Sequence, residues 1–203
     1  NGAMFVVFRR QGQPAKTPPV PKSLVETLLL TGPWEVHFQP GRGAPASISF
    51  DQLTPWNEHP EEGIRYFSGT VVYRKSFELS AEQAARTVWI DLGRVHWTAQ
   101  VRLNGKDLGV VWTAPWRLEA AGVVRPGQNQ LEIAVTNTWV NRLIGDAGLP
   151  PEKRITKTNV ALRPGKRPPS FRAFQGFSSE DPLQPSGLLG PVRLEFFEGR
   201  KAQ

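Results

Sequence analysis

The sequence predicts an all-β protein, an antiparallel β-sandwich of the jelly-roll type, and three observations support that prediction. Residues 86–142 alternate apolar and polar side chains with a period of two, which is the pattern of strands with one buried face and one solvent-exposed face. Turn signals separate the runs: Asn104-Gly105 suits a type I′ hairpin, and Arg125-Pro126-Gly127 suits a tight turn. The chain also holds 19 glycines and 19 prolines, which is typical of many short strands joined by turns.

The elements before this central block are predicted to be strands and one helical turn. Strand-like runs occupy residues 24–30, 33–38, 46–50 and 70–79. Residues 54–57 could form one helical turn, with Thr54 as the N-cap and Pro55 at the first position. Residues 187–199 close the chain with a final strand, so that the sandwich has about eight to ten strands in all.

Within the central block, the alternation assigns side chains to faces. Val95, Trp97 and Ala99 are expected to point inward, and Trp112 continues an inward row, which favours a core position for it. After this block, residues 143–187 have little periodicity and hold seven prolines. So long a stretch is predicted to be either functional or packed irregularly, because ordinary loops in compact domains are shorter.

Composition also suggests a domain organisation. Residues 1–10 read as the trailing strand of a preceding domain, residues 11–22 as a stiff Pro-rich linker, and residues 23–203 as the sandwich. No apolar run approaches the roughly eighteen residues of a membrane-spanning helix, so we expect no membrane partner. The absence of cysteine fits an exported bacterial protein, and we expect an extracellular or periplasmic location.

The net charge of +7 is concentrated in residues 152–172. The segment could attract an anionic partner such as an acidic, pectin-type polysaccharide or a nucleic acid. It could equally be a solvated loop, or a surface that docks on an acidic neighbouring domain, and charge runs are more often of that kind. Nucleic acid is the weaker functional option, because no helix-turn-helix, RNA-recognition or zinc pattern accompanies the charge, and we expect no nucleic-acid partner.

The order of motifs resembles a known family. The segments YRKSFEL (73–79), VWIDLGRVHWTAQVRLNGKDLGVVWTAPW (88–116) and PGQNQLEIAVTN (126–137) resemble the galactose-binding-like sugar-binding domain of glycoside hydrolase family 2. The flanking segments EEGIRYFSGTVVYRKSFEL (61–79), NTWVNRLIGDAGL (137–149) and SGLLGPVRL (186–194) resemble the C-terminal domain of bacterial α-L-rhamnosidase-like proteins of glycoside hydrolase family 106. The resemblance implies a galactose-binding-like jelly roll attached to a separate catalytic domain.

Residues for glycoside hydrolysis are not evident in the chain. Glycosidases need two carboxylates about 5–10 Å apart. Glu61 and Glu62 are neighbours in a predicted loop and Asp146 stands alone, so we predict no catalytic residue. The three histidines are dispersed, and we expect no cofactor and no histidine metal site, although the loops could supply oxygen ligands to a structural Ca²⁺.

Two segments have the residue types that bind sugars. Aromatic faces cover the C–H patches of a sugar, and planar polar side chains read its hydroxyls. The segments WTAPWR (112–117) and NTWVNR (137–142) both follow strands and hold that mix. The predicted ligand-binding residues are Trp116, Arg117, Asn137, Trp139, Asn141, Arg142 and Asp146. In the alternative interpretation, both tryptophans pack under the 143–187 excursion and Arg142–Asp146 is a buried ion pair that pins it.

We therefore expect a non-catalytic domain of a bacterial glycoside hydrolase, which binds glycan or completes the substrate cleft of an attached catalytic domain. A purely structural interdomain module without a ligand is the alternative. An enzyme complete in this chain is the least favoured, because the carboxylate pair is missing.

Overall fold

The computed structural model describes residues 23–120, 122–166 and 176–198. Strands make up 43% and helices 13% of these residues, and the main sheets are antiparallel, as predicted. The predicted trailing strand (1–10) and linker (11–22) lie outside the described residues, as do Arg167 and Arg172 of the basic segment.

Fourteen strands are described. They are β1 (Leu24–Leu29), β2 (Trp34–Phe38), β3 (Ser47–Phe50), β4 (Thr70–Leu79), β5 (Thr87–Asp91), β6 (Arg94–His96), β7 (Thr98–Leu103), β8 (Lys106–Val111), β9 (Arg117–Glu119), β10 (Gly127–Thr136), β11 (Leu162–Arg163), β12 (Phe177–Ser178), β13 (Gly187–Gly190) and β14 (Arg193–Phe197). The α-helices are α1 (Glu62–Arg65), α2 (Ala81–Ala84) and α3 (Val140–Ala147), with 3-10 turns at Trp56–Glu58 and Pro151–Lys153. Among these helices, none has the length and apolar character needed to cross a membrane.

Two sheets form the sandwich. The six-stranded sheet has the order β3-β2-β4-β10-β7-β8, and the four-stranded sheet has the order β1-β14-β5-β9. Their ten strands agree with the predicted number. Two small pairs add to them: β6 with β13 is antiparallel, and β11 with β12 is parallel.

The core lies between the sheets because both present an alternating apolar row to it. On β10 the buried residues Leu131, Ile133 and Val135 alternate with more exposed ones, and Ile90 and Leu194 do the same on the four-stranded sheet. All of them belong to a single buried cluster. The predicted turns are present as well: Asn104 and Gly105 adopt φ of 51° and 79° between β7 and β8, and Gly127 adopts φ of 78° where β10 begins.

A buried hydroxyl joins three distant segments inside this core. Tyr73 Oη on β4 accepts a hydrogen bond from Trp56 Nε1 (2.5 Å) and one from the Leu188 amide on β13 (3.3 Å). Complete burial raises the pKa of Tyr73 well above its usual range, so the phenol stays neutral. Gly187 makes room for the contact, because a Cβ there would lie 2.6 Å from Trp56 Nε1.

Two tryptophans assigned to inward rows are exposed instead. Trp97 is 43% exposed, because the chain changes partners at this point, from the β6–β13 pair to the β7–β10 pair. Trp112 is 60% exposed, so the prediction that it lies in the core is wrong. A register shift between β7 and β8 near Gly109 displaces the alternation by one residue, and a one-residue slip moves every following side chain to the opposite face.

Helix α3 was not predicted, although residues 137–149 contain a signal for it. Val140, Leu143, Ile144 and Ala147 follow the i, i+3, i+4, i+7 spacing of an apolar helical face. The helix is only eight residues long, and the polar residues between these apolar positions obscure the helical period in the sequence. The helical turn near residue 54 starts slightly later than expected, at Trp56, and it has no side-chain cap from Thr54.

We expect Tyr73→Phe to lower the free energy of unfolding by about 1–3 kcal/mol, because it leaves the Trp56 indole N–H and the Leu188 amide buried without an acceptor. Urea unfolding measures the change. Tyr66→Phe is the matched control, since the Tyr66 ring is half-buried and its contacts with arginines survive the substitution. Equal losses in both variants would show that the buried hydroxyl contributes nothing.

Candidate functional site

Four of the predicted ligand-binding residues follow the end of β10 and bond to the protein itself. We call Asn137, Asn141, Arg142 and Asp146 the α3 cluster. Asn137 holds the segment before β4, since its Nδ2 donates to the Phe67 carbonyl (2.9 Å) and its Oδ1 accepts from the Gly69 amide (2.9 Å). Most of the hydrogen-bonding capacity of this side-chain amide is therefore used within the fold.

Asn141 holds the distal end of the long excursion in the same way. Its Nδ2 donates to the Gln184 carbonyl (2.8 Å), and its Oδ1 accepts from the Gln184 amide (2.8 Å). The residue is buried, and a further contact runs from Nδ2 to Ser186 Oγ (3.3 Å). A sugar hydroxyl could reach this amide only by displacing residues 184–186.

Arg142 and Asp146 form a buried ion pair one turn apart on α3. Arg142 Nε lies 3.0 Å from Asp146 Oδ1, at ion-pair distance but without an aligned hydrogen bond. The other carboxylate oxygen, Oδ2, accepts from the Thr156 amide (2.7 Å) and from Thr156 Oγ1 (2.5 Å). Through Asp146, the pair thereby ties the excursion to the helix. The ion pair is the part of the alternative interpretation that this arrangement matches.

A glycine makes this packing sterically feasible. The Arg142 guanidinium carbon lies 5.7 Å from the centroid of the Tyr66 ring. A Cβ on Gly145 would come within 2.6 Å of Arg142 Nη2 and 2.7 Å of Tyr66 Cγ. Any larger residue at this position of α3 would push the guanidinium away from its contacts.

The three remaining predicted residues do not belong to the α3 cluster. Trp116 is partly buried against the core, and Arg117 on β9 belongs to the four-stranded sheet, where it pairs with Glu195 and lies 5.5 Å from the Trp89 ring. Trp139 precedes α3 and is 43% exposed, and the Arg42 guanidinium lies 4.3 Å from its ring centroid. Of the seven residues, Trp139 presents the most accessible apolar face.

Trp139 and two other exposed tryptophans lie in segments at the same end of the six-stranded sheet. We call Trp97, Trp112 and Trp139 the aromatic end. On β10, Thr136 pairs with Thr98 at the start of β7, and on β7, Ala99 pairs with Val111 at the end of β8. Trp97 directly precedes β7, Trp112 directly follows β8, and Trp139 follows β10 by three residues, with the Arg42 guanidinium of the β2–β3 connection over its ring.

Trp97 and Trp112 of the aromatic end are not among the seven residues predicted to bind a ligand. Trp97 and Trp112 were assigned inward, and Arg42 was not considered. The change of sheet after His96 has a weak signal in the Gly93 break before it, whereas the shift near Gly109 is marked only by a glycine inside a strand pattern.

The three acidic residues considered for hydrolysis have different surroundings. Glu61 and Glu62 are exposed at the start of α1, and Asp146 is buried and bonded to Thr156. No group of three or more His, Asp or Glu in the described part of the chain could hold a metal ion. In the basic segment, Lys153, Lys157 and Lys166 are exposed.

Comparisons with known proteins found a matching family model and several similar proteins. The family model of the glycosyl hydrolase 2 galactose-binding domain-like proteins matches residues 54–163, just over half of the chain. A putative β-glucuronidase of Formosa agariphila is 40% identical over 185 residues, which cover 85% of this chain and 16% of that protein. The solved structure of a rhamnosidase from Novosphingobium sp. PP1Y superimposes with a TM-score of 0.71 at 42% identity, covering 89% of this chain and 16% of that one.

These matches confirm the expected resemblance and fold. The chain spans about a sixth of the length of the two relatives, so their activities belong to much longer proteins.

We expect Arg142→Met to lower the free energy of unfolding by about 3–5 kcal/mol, because it leaves the Asp146 carboxylate buried without its counter-charge. Arg102→Met, at an exposed position on β7, is the control and should change stability by less than about 0.5 kcal/mol. Guanidinium unfolding monitors all variants.

The double variant Arg142→Met/Asp146→Asn should recover part of the loss, since it removes both charges. If Arg142→Met were as stable as Arg102→Met, the ion pair would not hold the excursion.

Proposed function

The chain belongs to the glycosyl hydrolase 2 galactose-binding domain-like family, and from that premise we propose that it is a non-catalytic domain of an α-L-rhamnosidase-like glycoside hydrolase that binds glycan. The observation that supports binding most directly is the aromatic end. Indole faces stack on the C–H faces of sugar rings and retain a polar N–H for hydroxyls. Three such side chains, between 43% and 60% exposed at one end of the six-stranded sheet, each offer a face of this kind.

The α3 cluster supports that surface and does not form it. Its amide and carboxylate groups bond to Phe67, Gly69, Thr156 and Gln184, and its guanidinium pairs with Asp146, so they fix the position of the residues that carry Trp139. We therefore move the proposed ligand contacts from Asn137, Asn141, Arg142 and Asp146 to the tryptophans.

The aromatic end could also complete the substrate cleft of an attached catalytic domain. The family consists of domains of glycoside hydrolases, and the two relatives are about six times longer than this chain. In such a protein the tryptophans would contact the substrate of the neighbouring domain. A purely structural module remains the second candidate, because exposed tryptophans would equally suit a protein interface.

The glycan partner that we propose is an acidic chain of the pectin type. The exposed lysines of the basic segment support an anionic partner, and their attraction is screened over a Debye length of about 8 Å at physiological salt. An oligogalacturonide is therefore the suitable probe, titrated at low and at high salt.

We expect Trp139→Ala, Trp97→Ala and Trp112→Ala each to weaken oligogalacturonide binding about tenfold, because an aromatic contact contributes on the order of 1 kcal/mol or more. Their melting temperatures should stay close to that of the parent protein, since all three side chains are exposed. Titration calorimetry and thermal unfolding measure the two quantities. Leu29→Ala, an exposed apolar residue on β1, is the control.

Unchanged affinity in all three tryptophan variants would reject the glycan-binding role of this end. A large fall in melting temperature with intact affinity would instead indicate a packing role for the tryptophans. If the parent protein binds no glycan but the tryptophans become protected in the full-length enzyme, the structural module is supported.

We also expect the chain alone to hydrolyse no glycoside, since Glu61 and Glu62 are exposed at the start of α1 and the Asp146 carboxylate is buried and bonded to Thr156. The assay is release of nitrophenol from an aryl rhamnoside after repeated purification. Turnover that persists, and that disappears in Glu61→Gln or Glu62→Gln, would contradict the proposal.

A further inference from the structure

Arg42, in the connection between β2 and β3, lies over the indole of Trp139. Its guanidinium carbon is 4.3 Å from the centroid of the Trp139 ring. Trp139 keeps 43% of its surface exposed although the guanidinium covers part of the ring, and Arg42 itself is half-buried. The contact therefore places a cation beside an accessible apolar face, which is the combination that suits an acidic sugar.

The backbone of the β2–β3 connection holds Arg42 in place. Gly41 and Gly43, on either side of it, adopt φ of 74° and 88°, a region that residues with a side chain rarely enter. A Cβ on Gly43 would lie 2.6 Å from Ile155 Cδ1, and one on Gly63 of α1 would lie 2.2 Å from the Gly43 carbonyl oxygen. The connection is therefore packed against α1 and the long excursion, and it presents the guanidinium from a fixed backbone.

Arg42 has no counter-charge in the described part of the chain. No hydrogen bond or ion pair joins its side chain to another described residue, and the contact with Trp139 supplies no acceptor oxygen. Ion pairs with carboxylates are formed instead by Arg74, Arg86, Arg117, Arg142 and Arg193. Because a guanidinium carries five N–H donors, those of Arg42 remain available to a ligand from outside the domain.

We propose that Arg42 binds the carboxylate of a uronic acid unit whose ring lies on Trp139. The proposal rests on the glycan-binding role of the aromatic end, and it assigns the acidic specificity of that end to one residue. A hexuronic acid carries its carboxylate directly on the sugar ring, so a ring on the exposed part of the indole brings the carboxylate next to the guanidinium. Arginine presents a planar fork that matches the two carboxylate oxygens, and such charge-assisted bonds are stronger than neutral ones.

Other ligands satisfy this pair of side chains less completely. A neutral sugar covers the indole but leaves the guanidinium without a counter-charge. A free anion such as acetate or phosphate pairs with Arg42 but leaves the apolar ring exposed. The simplest alternative is that Arg42 only shields the ring, since a cation over an aromatic face is itself a favourable contact. In that case a ligand would gain no affinity from Arg42.

Two variants and two controls test the assignment in the whole chain. Arg42→Gln removes the charge, and Arg42→Lys keeps the charge but loses the planar fork. Lys106→Gln, at an exposed position on β8, removes the same charge as Arg42→Gln, and Trp139→Ala removes the aromatic face. The ligands are a trigalacturonate and its fully methyl-esterified form, which has the same rings without free carboxylates, with sodium acetate and phosphate as simple anions. Titration calorimetry gives the affinities, and thermal unfolding shows that each variant is folded.

We expect the parent protein to bind the acid about tenfold more tightly than the ester, which corresponds to about 1.4 kcal/mol, and Arg42→Gln to bind both alike. Arg42→Lys should lose most of this preference, and Lys106→Gln should keep it. Equal affinities of the parent protein for acid and ester, an unchanged preference in Arg42→Gln, or acetate or phosphate binding as tightly as the acid would each overturn the assignment. Arg42→Lys keeps the test valid if Arg42→Gln does not fold.

Trp139→Ala separates this assignment from the proposed function. It should lower the affinity for the acid and for the ester alike, because it removes the face on which the ring lies. If it does so while Arg42→Gln retains the preference for the acid, the aromatic end binds glycan and Arg42 does not read the carboxylate. If the parent protein binds neither ligand, both the assignment and the glycan-binding role fail.

Discussion

The pairing register of β10 is the constraint on which the rest of the structure depends. This strand pairs with β4 over its whole length and with β7 over its second half, so it fixes three of the six strands of the larger sheet relative to one another. The same register sends Leu131, Ile133 and Val135 into the core and leaves the intervening side chains outside. A slip of one residue would exchange these faces, and burial of the apolar row opposes it.

The register also determines which groups remain available for a ligand. It places the ends of β10, β7 and β8 side by side, so the segments that carry Trp97, Trp112 and Trp139 leave the sheet at the same end. The polar residues just past β10 bond within the fold instead: Asn137 holds the segment before β4, and Asn141 and the Arg142–Asp146 pair hold the excursion.

The fold could be predicted from the sequence because its signals are local. A period of two, an Asn-Gly turn and a Pro-Gly turn all act over a few residues, and each specified its element. The site was harder to predict, because its interactions are long-range: Asn137 bonds to Phe67 and Asn141 to Gln184, both far away along the chain. Trp97 and Trp112 were misassigned because a change of sheet and a shifted register interrupt the alternation, and neither depends on the local residue pattern alone.

The central claim is that the exposed tryptophans, and not the polar residues beside them, form the glycan surface. The indole N–H signals of the seven tryptophans, followed by NMR during titration with an oligogalacturonide, test it in one measurement. We expect the signals of Trp97, Trp112 and Trp139 to move, while those of the buried Trp34 and Trp56 stay in place. Saturable binding that leaves the three exposed signals unmoved would contradict it.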